Sequence, residues 1–172
     1  MEKKRVTPEF FRRDVLEVAP DLIGKTLVRQ FSDHSFKRFR ITEVEAYRGT
    51  EDLACHASKG KTARTQIMFE EGGHVYVYLI YGMYWMLNIV AGEENDASAV
   101  LIRGIENISG PGKVGKVLQL DKSFYGENLT NSTRIWIENE RQKTNYTTSP
   151  RVGIQYAGEP WVSKPWRFIL ST

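Results

Sequence analysis

The sequence predicts an α+β fold, one domain over residues 1–172 built on a single curved, mostly antiparallel sheet that forms a partly open barrel or roll flanked by short helices. Three observations predict it. Runs of β-branched and aromatic residues separated by Gly, Asp and Ser turn signals recur along the chain. Helical patterns are few and short, and they fall at residues 8–23 and after Gly110. Finally, 172 residues with 41% hydrophobic and 26% charged content match one ordinary globular core, with no repeat and no low-complexity tract.

Each element follows in order. Thr7-Pro8-Glu9 puts proline in the first turn of a helix and makes Phe10 and Phe11 its buried anchors. A second helical stretch, 14–23, closes at Gly24. Residues 26–31 are strand-like, Asp33-His34-Ser35 supplies turn chemistry, and 38–47 completes a hairpin. Residues 48–66, rich in Gly, Thr, Lys and Arg without an apolar period, read as a long, partly irregular connection of the kind that tends to be functional. Gly72-Gly73 introduces a strand over 75–81, and Gly82 turns the chain into another over 83–90. Residues 97–102 form the next strand, ending at Arg103. Gly110-Pro111-Gly112 opens a helix with Val114, Val117 and Leu118 on one face, and short strands centre on 135–137 and 167–170.

Composition excludes several classes of function. A single cysteine, Cys55, rules out an internal disulfide and a cysteine zinc cluster, and His34, His56 and His74 have no ligand spacing. No metal and no cofactor are expected. Met1-Glu2-Lys3-Lys4-Arg5 has no apolar run behind it and no window approaches ~18 apolar residues, so neither a secretory signal nor a membrane span is expected. The protein is expected to stay in the compartment where it is made, cytoplasmic and nucleoid-associated in a prokaryote or nuclear in a eukaryote. The formal net charge of +3 is only a mild bias toward polyanions.

Three features could carry chemistry. Strand alternation over 39–47 places Ile41, Glu43, Glu45 and Tyr47 on one face, with the two carboxylates about 7 Å apart. Such a face either meets solvent or lines a polar cleft, where clustered like charge would raise a carboxylate toward the general-base range. Tyr76, Tyr78, Tyr81, Tyr84 and Trp85 crowd within ten residues, either as core or as a surface for stacking on nucleobases. Tyr76 and Tyr78 share a face, whereas Tyr81 beside Gly82 falls at a turn and projects outward, as a wedge between base steps would. Gly110-Pro111-Gly112 with Lys113 and Lys116 is either a simple helix start or a phosphate cradle.

These blocks, taken together and in order, resemble a known family. Glu43-Val44-Glu45-Ala46-Tyr47-Arg48-Gly49-Thr50-Glu51-Asp52, Ala54-Cys55-His56, Tyr76-Val77-Tyr78-Leu79-Ile80-Tyr81-Gly82-Met83-Tyr84 with Asn88, Val100-Leu101-Ile102-Arg103, Gly110-Pro111-Gly112-Lys113, Asp121-Lys122-Ser123-Phe124 and Ser149-Pro150-Arg151-Val152-Gly153-Ile154 are similar to the alkyladenine (3-methyladenine) DNA glycosylases. The resemblance spans most of the chain from residue 8 onward. It implies a monofunctional enzyme, acting as a monomer on double-stranded DNA that contains damaged purines. The enzyme flips 3-methyladenine, 7-methylguanine, hypoxanthine or ethenoadenine out of the duplex and hydrolyses the N-glycosidic bond.

By the same resemblance, Glu45 activates the attacking water, which Arg103 and the backbone carbonyl of Val152 also hold. Tyr47, His56 and Tyr78 stack on the flipped base, Asn88 rejects the amino group of normal guanine, and Tyr81 intercalates. Lys113 and Lys116 are candidates for DNA-backbone contact, and a backbone N–H on one ring nitrogen of His56 would free the other for the base edge. No match supplies a lysine nucleophile. One departure stands out: family members carry a helical segment before the Gly-Pro-Gly-Lys motif, whereas only Asn107, Ile108 and Ser109 separate Glu106 from Gly110 here. Either the lineage has a short loop or the chain is trimmed there. That departure motivates a rival expectation, a protein that binds lesions without excising them. A third is a small-molecule acyl or formyl transferase on a similar barrel-like sheet, without salt-dependent DNA affinity.

Overall fold

In the computed structural model, residues 4–140 and 143–172 are described. Most of the basic opening therefore lies outside the described residues, at positions 1–3. The chain enters through α1 (Pro8–Phe11), with Pro8 in its first turn and Phe11 fully buried. Phe10 is only half-buried, contrary to expectation, because its ring serves as a surface platform for the cations of Arg13 and Lys25 at 4.6 and 5.2 Å. Helix α2 (Val15–Leu22) starts where the Asp14 side chain accepts the Leu16 N–H at 2.8 Å, and it buries Val15, Val18, Ala19 and Leu22.

Among the described residues nine strands then build one curled sheet, and every registered pairing in it is antiparallel. They are β1 (Thr26–Gln30), β2 (Phe36–Tyr47), β3 (Val75–Ile80), β4 (Tyr84–Ala91), β5 (Ser98–Ile105), β6 (Ile108–Ser109), β7 (Ile135–Glu138), β8 (Tyr146–Ser149) and β9 (Arg167–Leu170). The main path runs β3-β4-β5-β2-β1-β7, with β6 on β5 and the β8–β9 pair on β2. The α+β class with a partly open antiparallel sheet is therefore the architecture observed. Two strands carry no sequence signal: β6 is two residues long, and β8 is a polar, mostly exposed edge. Neither has the apolar alternation by which strands are read.

Strand β2 is the spine. Its first half pairs with β1 and its second half with β5 and β9. Ile41 pairs with Ile105 but Glu43 with Gly104, so Thr42 is an extra residue on β2; Glu43 and Val44 then face Gly104 and Ile102, so Arg103 is an extra residue on β5. These paired bulges correct the expected face. Ile41 joins Val44 and Ala46 in the main core, and Glu43, Glu45 and Tyr47 are left on the opposite side. A bulge inserts one residue and so reverses alternation beyond it, which sequence periodicity cannot reveal.

The β3–β4 hairpin closes through Tyr81 and Gly82, both with positive φ (54° and 65°), and Met83 N–H donates to Ile80 O at 3.1 Å. Positive φ at two successive turn residues is a feature of the primed turns, whose twist matches that of the flanking strands. The short segment before Gly110 is a closed hairpin: Asn107 takes a positive φ of 65°, and Gly110 N–H returns to Arg103 O at 2.9 Å. Helix α3 (Pro111–Val117) follows and packs on β4. Among the described residues no helix is long and apolar enough to cross a membrane.

Gly115 shows how close that packing is. A Cβ there would lie 1.9 Å from the Trp85 carbonyl oxygen, a backbone atom that cannot swing aside. Ala normally favours a helix interior over Gly by about 1 kcal/mol. Gly115→Ala should reverse that sign, destabilising by about 1–3 kcal/mol or more through overpacking, read as a lower urea midpoint at unchanged slope.

Candidate active site

Glu45 lies on β2, opposite Leu101 of β5 and Arg167 of β9, with no exposed surface. A carboxylate so placed needs donors in exchange for water. Tyr47 donates its hydroxyl to Oε1 at 2.8 Å, and the backbone N–H of Val152 donates to Oε2 at 2.6 Å. Arg103 brings Nη1 to 3.6 Å from Oε1. Burial nevertheless prevails and pushes the Glu45 carboxyl above its ordinary range, against the opposing pull of Arg103, the Val152 N–H and Tyr47. Desolvation is thus the cause, in place of the like-charge clustering expected from Glu43. The Glu43 charge is taken up elsewhere, accepting from Arg103 Nε at 3.1 Å and lying 3.4 Å from Arg167 Nη1.

Beside this carboxylate is a cavity of about 260 Å³ whose wall includes Tyr47, His56, Tyr78, Asn88, Arg103 and Val152. The fold thus gathers the expected catalytic and base-binding positions, from four strands and two loops, around one hollow. Its chemistry is apolar and aromatic with a few fixed polar groups, as small-molecule sites are. The His56 and Tyr78 rings meet edge-on at 4.6 Å between centroids. Burial, followed by the charges of Arg64 and Lys59, lowers His56 to about 4, so the imidazole is neutral at neutral pH. Burial likewise raises Tyr78 to about 12 and holds Tyr47 well above the ordinary phenol value, so both stay protonated. The partner of His56 differs from the expected backbone N–H: its Nδ1 lies 2.9 Å from the Tyr76 hydroxyl. Asn88 is buried and donates its Nδ2 to Tyr76 O at 3.2 Å.

Tyr81 stands apart from the cavity at the hairpin tip, 89% exposed, with Met83 beside it at 65%. Lys113 and Lys116 are exposed on α3, whose Pro111 reaches the cavity wall. Of the glycines in that motif, Gly112 answers to packing against the Tyr84 ring, whereas Gly110 has open space around it and answers to its positive φ of 110°.

The roles implied by the family resemblance left out other members of the site. Tyr76 lines the cavity and orients His56, and its pairing with Tyr78 on one face was the available signal. Arg64 lies over the Tyr78 ring at 5.8 Å, inside the long connection read only as functional. The fully buried Arg151–Asp52 pair had no local signal, because ninety-nine positions separate its members. Arg151 donates to both Asp52 oxygens, at 2.6 and 3.0 Å, and to Ala46 O at 3.0 Å, while its guanidinium lies 4.9 Å from the Tyr47 ring centre. Asp52 also accepts from the backbone of Arg48 and Ala54. The pair thereby fixes Val152, the next residue, against Glu45.

The profile of the methylpurine-DNA glycosylases matches residues 9–172, nearly the whole chain. The chain belongs to the methylpurine-DNA glycosylase family. Its similarity to individual members is equally extensive. A Legionella pneumophila protein is 41% identical over 176 residues, covering 97% of this chain and 94% of its own. One from Methanocella arvoryzae is 42% identical over 180 residues, covering 93% and 89%, and one from Psychrobacter cryohalolentis is 39% identical over 190, covering 94% and 88%. Each carries the name "Putative 3-methyladenine DNA glycosylase". The 190-residue alignment is longer than this 172-residue chain, so that relative has inserted segments that this glycosylase-family chain lacks.

Two measurements test the electrostatics of the site. Asp52→Ala strands the Arg151 guanidinium in the interior and should cost about 3–5 kcal/mol of stability in urea unfolding. For Glu45 the sign is opposite. With its carboxyl raised above the unfolded value, the native state holds the proton longer, so stability falls as pH rises through that interval. Glu45→Gln should therefore melt above the parent protein at pH 7, and the gap should close as pH falls toward 4.

Proposed function

We propose that this chain is a monofunctional DNA glycosylase that flips alkylated or deaminated purines out of duplex DNA and hydrolyses their N-glycosidic bonds, leaving an abasic site. The observation that carries the reading is the buried, doubly hydrogen-bonded Glu45 carboxylate against an aromatic-walled cavity, with Arg103 at its side. N-glycosidic cleavage passes through an oxocarbenium-like state, so a carboxylate near C1′ both accepts the proton of the attacking water and stabilises positive charge. The water oxygen bonds to C1′ as the C1′–N bond breaks, and the bond electrons leave with the purine. Each Glu45 oxygen has one described hydrogen-bond donor and therefore keeps lone-pair capacity for that water. No lysine lines the cavity among the described residues, which supports simple hydrolysis over a Schiff-base route.

The wall suits a damaged purine. Tyr47, His56 and Tyr78 offer neutral π-faces to the flipped base, and a cationic 3-methyladenine or 7-methylguanine gains a cation–π contribution that a charged imidazole would cancel. Hypoxanthine and ethenoadenine stack without that term, and Asn88 guards the edge where guanine carries its amino group. Tyr81 and Met83 at the exposed hairpin tip fit the gap that the extruded nucleotide leaves in the stack, with Tyr81 as the wedge. Lys113 and Lys116, together with Lys59 and Arg64 near His56, supply cations for the flanking phosphates. The tight hairpin at 104–109, replacing a longer family segment, favours a second reading as a lesion binder without turnover.

Single-turnover incubation with a hypoxanthine-containing duplex separates the two readings. The enzyme generates alkali-labile abasic sites, whereas a binder retards the oligonucleotide and releases no base. Glu45→Gln should lower release by about 10²–10⁴-fold with duplex affinity changed only a few-fold; unchanged release overturns Glu45 as the base. Because burial raises the Glu45 carboxyl, the rate should climb with pH through an apparent pKa above the ~4.3 of a free glutamate. Tyr81→Ala should weaken lesion-duplex binding and base release together, because both depend on holding the extrahelical state.

A further inference from the structure

Glu43 has no role in the reaction just described, yet it sits at the centre of the charge network beside it. Its Oε2 accepts from Arg103 Nε at 3.1 Å and lies 3.4 Å from Arg167 Nη1. Arg167 is fixed in turn, donating Nε to Pro150 O at 2.9 Å and Nη2 to Ser149 Oγ at 3.0 Å. All three charged side chains are largely sheltered, at 17–22% exposure, so their attraction is screened less than that of a surface pair. The two β-bulges bring them together, since Arg103 is the extra residue on β5 where Glu43 pairs with Gly104.

We propose that Glu43 is a positioning residue that holds the Arg103 guanidinium back from Glu45 and couples it, through Arg167, to the Ser149-Pro150 segment that leads into the loop carrying Val152. Two acids compete for Arg103, and the distances record the outcome. Nε is within hydrogen-bond range of Glu43, whereas Nη1 stops 3.6 Å from Glu45, beyond a good hydrogen bond. An arginine released from Glu43 would close on Glu45 as a fork-to-carboxylate pair, the stronger geometry. That pair would occupy the lone pairs that accept the water proton and would stabilise the ionised carboxylate. The other groups facing Glu45 are the Tyr47 hydroxyl on its own strand, Arg151 and the Val152 N–H from the loop, and, at longer range, Tyr78 and Tyr156. Among the described residues, the hydrogen bonds and ion pairs of Glu43 go to Arg103 and Arg167, so the contact by which it reaches Glu45 is Arg103.

This inference rests on the glycosylase reading, and the experiment keeps the two failures apart. Single-turnover base release from a hypoxanthine duplex is measured from pH 4 to 9 for the parent protein, Glu43→Gln, Glu43→Asp and Glu45→Gln, with duplex affinity and thermal melting in parallel. Glu43→Gln should lower the plateau rate about ten- to a hundredfold, since a misplacement near 1 Å costs on that order. It should also move the acidic limb to lower pH, with affinity nearly unchanged and Glu43→Asp recovering part of both effects. A merely structural role lowers the rate without moving the limb, and that result, like an unchanged rate, overturns the inference. Absence of release by the parent protein overturns the glycosylase reading instead. Should Glu43→Gln fold poorly, Arg167→Lys, which loosens the same hub from the far side, should shift the limb in the same direction; an unmoved limb there also overturns the inference.

Discussion

The arrangement of the site depends on one constraint, the burial of the Glu45 carboxylate. A charge with no exposed surface is tolerated only where donors replace its water, and here they come from three separated stretches of chain, Tyr47, Arg103 and Val152. Each must reach the same few ångströms. Tyr47 does so by alternation along β2. Arg103 does so because paired bulges re-aim its side chain. Val152 does so because the residue before it is anchored beneath the site.

That anchor is the Arg151–Asp52 pair. A bidentate guanidinium–carboxylate contact with both side chains fully buried is weak evidence for net stability, because two desolvation costs oppose it. Its contribution is geometric. Asp52 caps the turn that follows β2 by accepting from Arg48 and Ala54, and Arg151 returns to Ala46 O on β2 itself. Two loops are thus locked to the strand that carries Glu45, and an N–H lands 2.6 Å from its carboxylate. A hydrophobic substitute of equal volume could fill the space, but it could not specify the register.

How much of this was legible in the sequence varies with the range of the signal. Turn chemistry at Tyr81-Gly82, the Asp14 cap and the strand runs are local, and they predicted the hairpins and helices within a few residues. The ordered family motifs predicted which residues meet around the cavity. Illegible were the side-chain face of Ile41, reversed by a bulge; strands β6 and β8, too short or too polar to carry a period; and every contact between distant segments. Asp52 with Arg151 and Glu43 with Arg167 belong to this last group. Residue-level reading therefore recovered elements and motifs but not the long-range charge pairs that frame the buried Glu45.

Under the proposed function, the burial of Glu45 bears on how one pocket would serve chemically different bases. Cationic alkylpurines depart as neutral molecules, so little help is needed at the leaving group, whereas neutral hypoxanthine gains from a strongly activated water. A base serves both if its carboxylate is basic and the surroundings remain uncharged toward the purine. The two conditions share one cause. Desolvation raises Glu45 and, acting on the opposite wall, keeps His56 neutral and Tyr78 protonated. Burial among these rings therefore sets the charge state of the site, whatever stacking they provide. Under the same proposal, the selectivity that remains would fall to shape at Asn88 and to the hairpin tip.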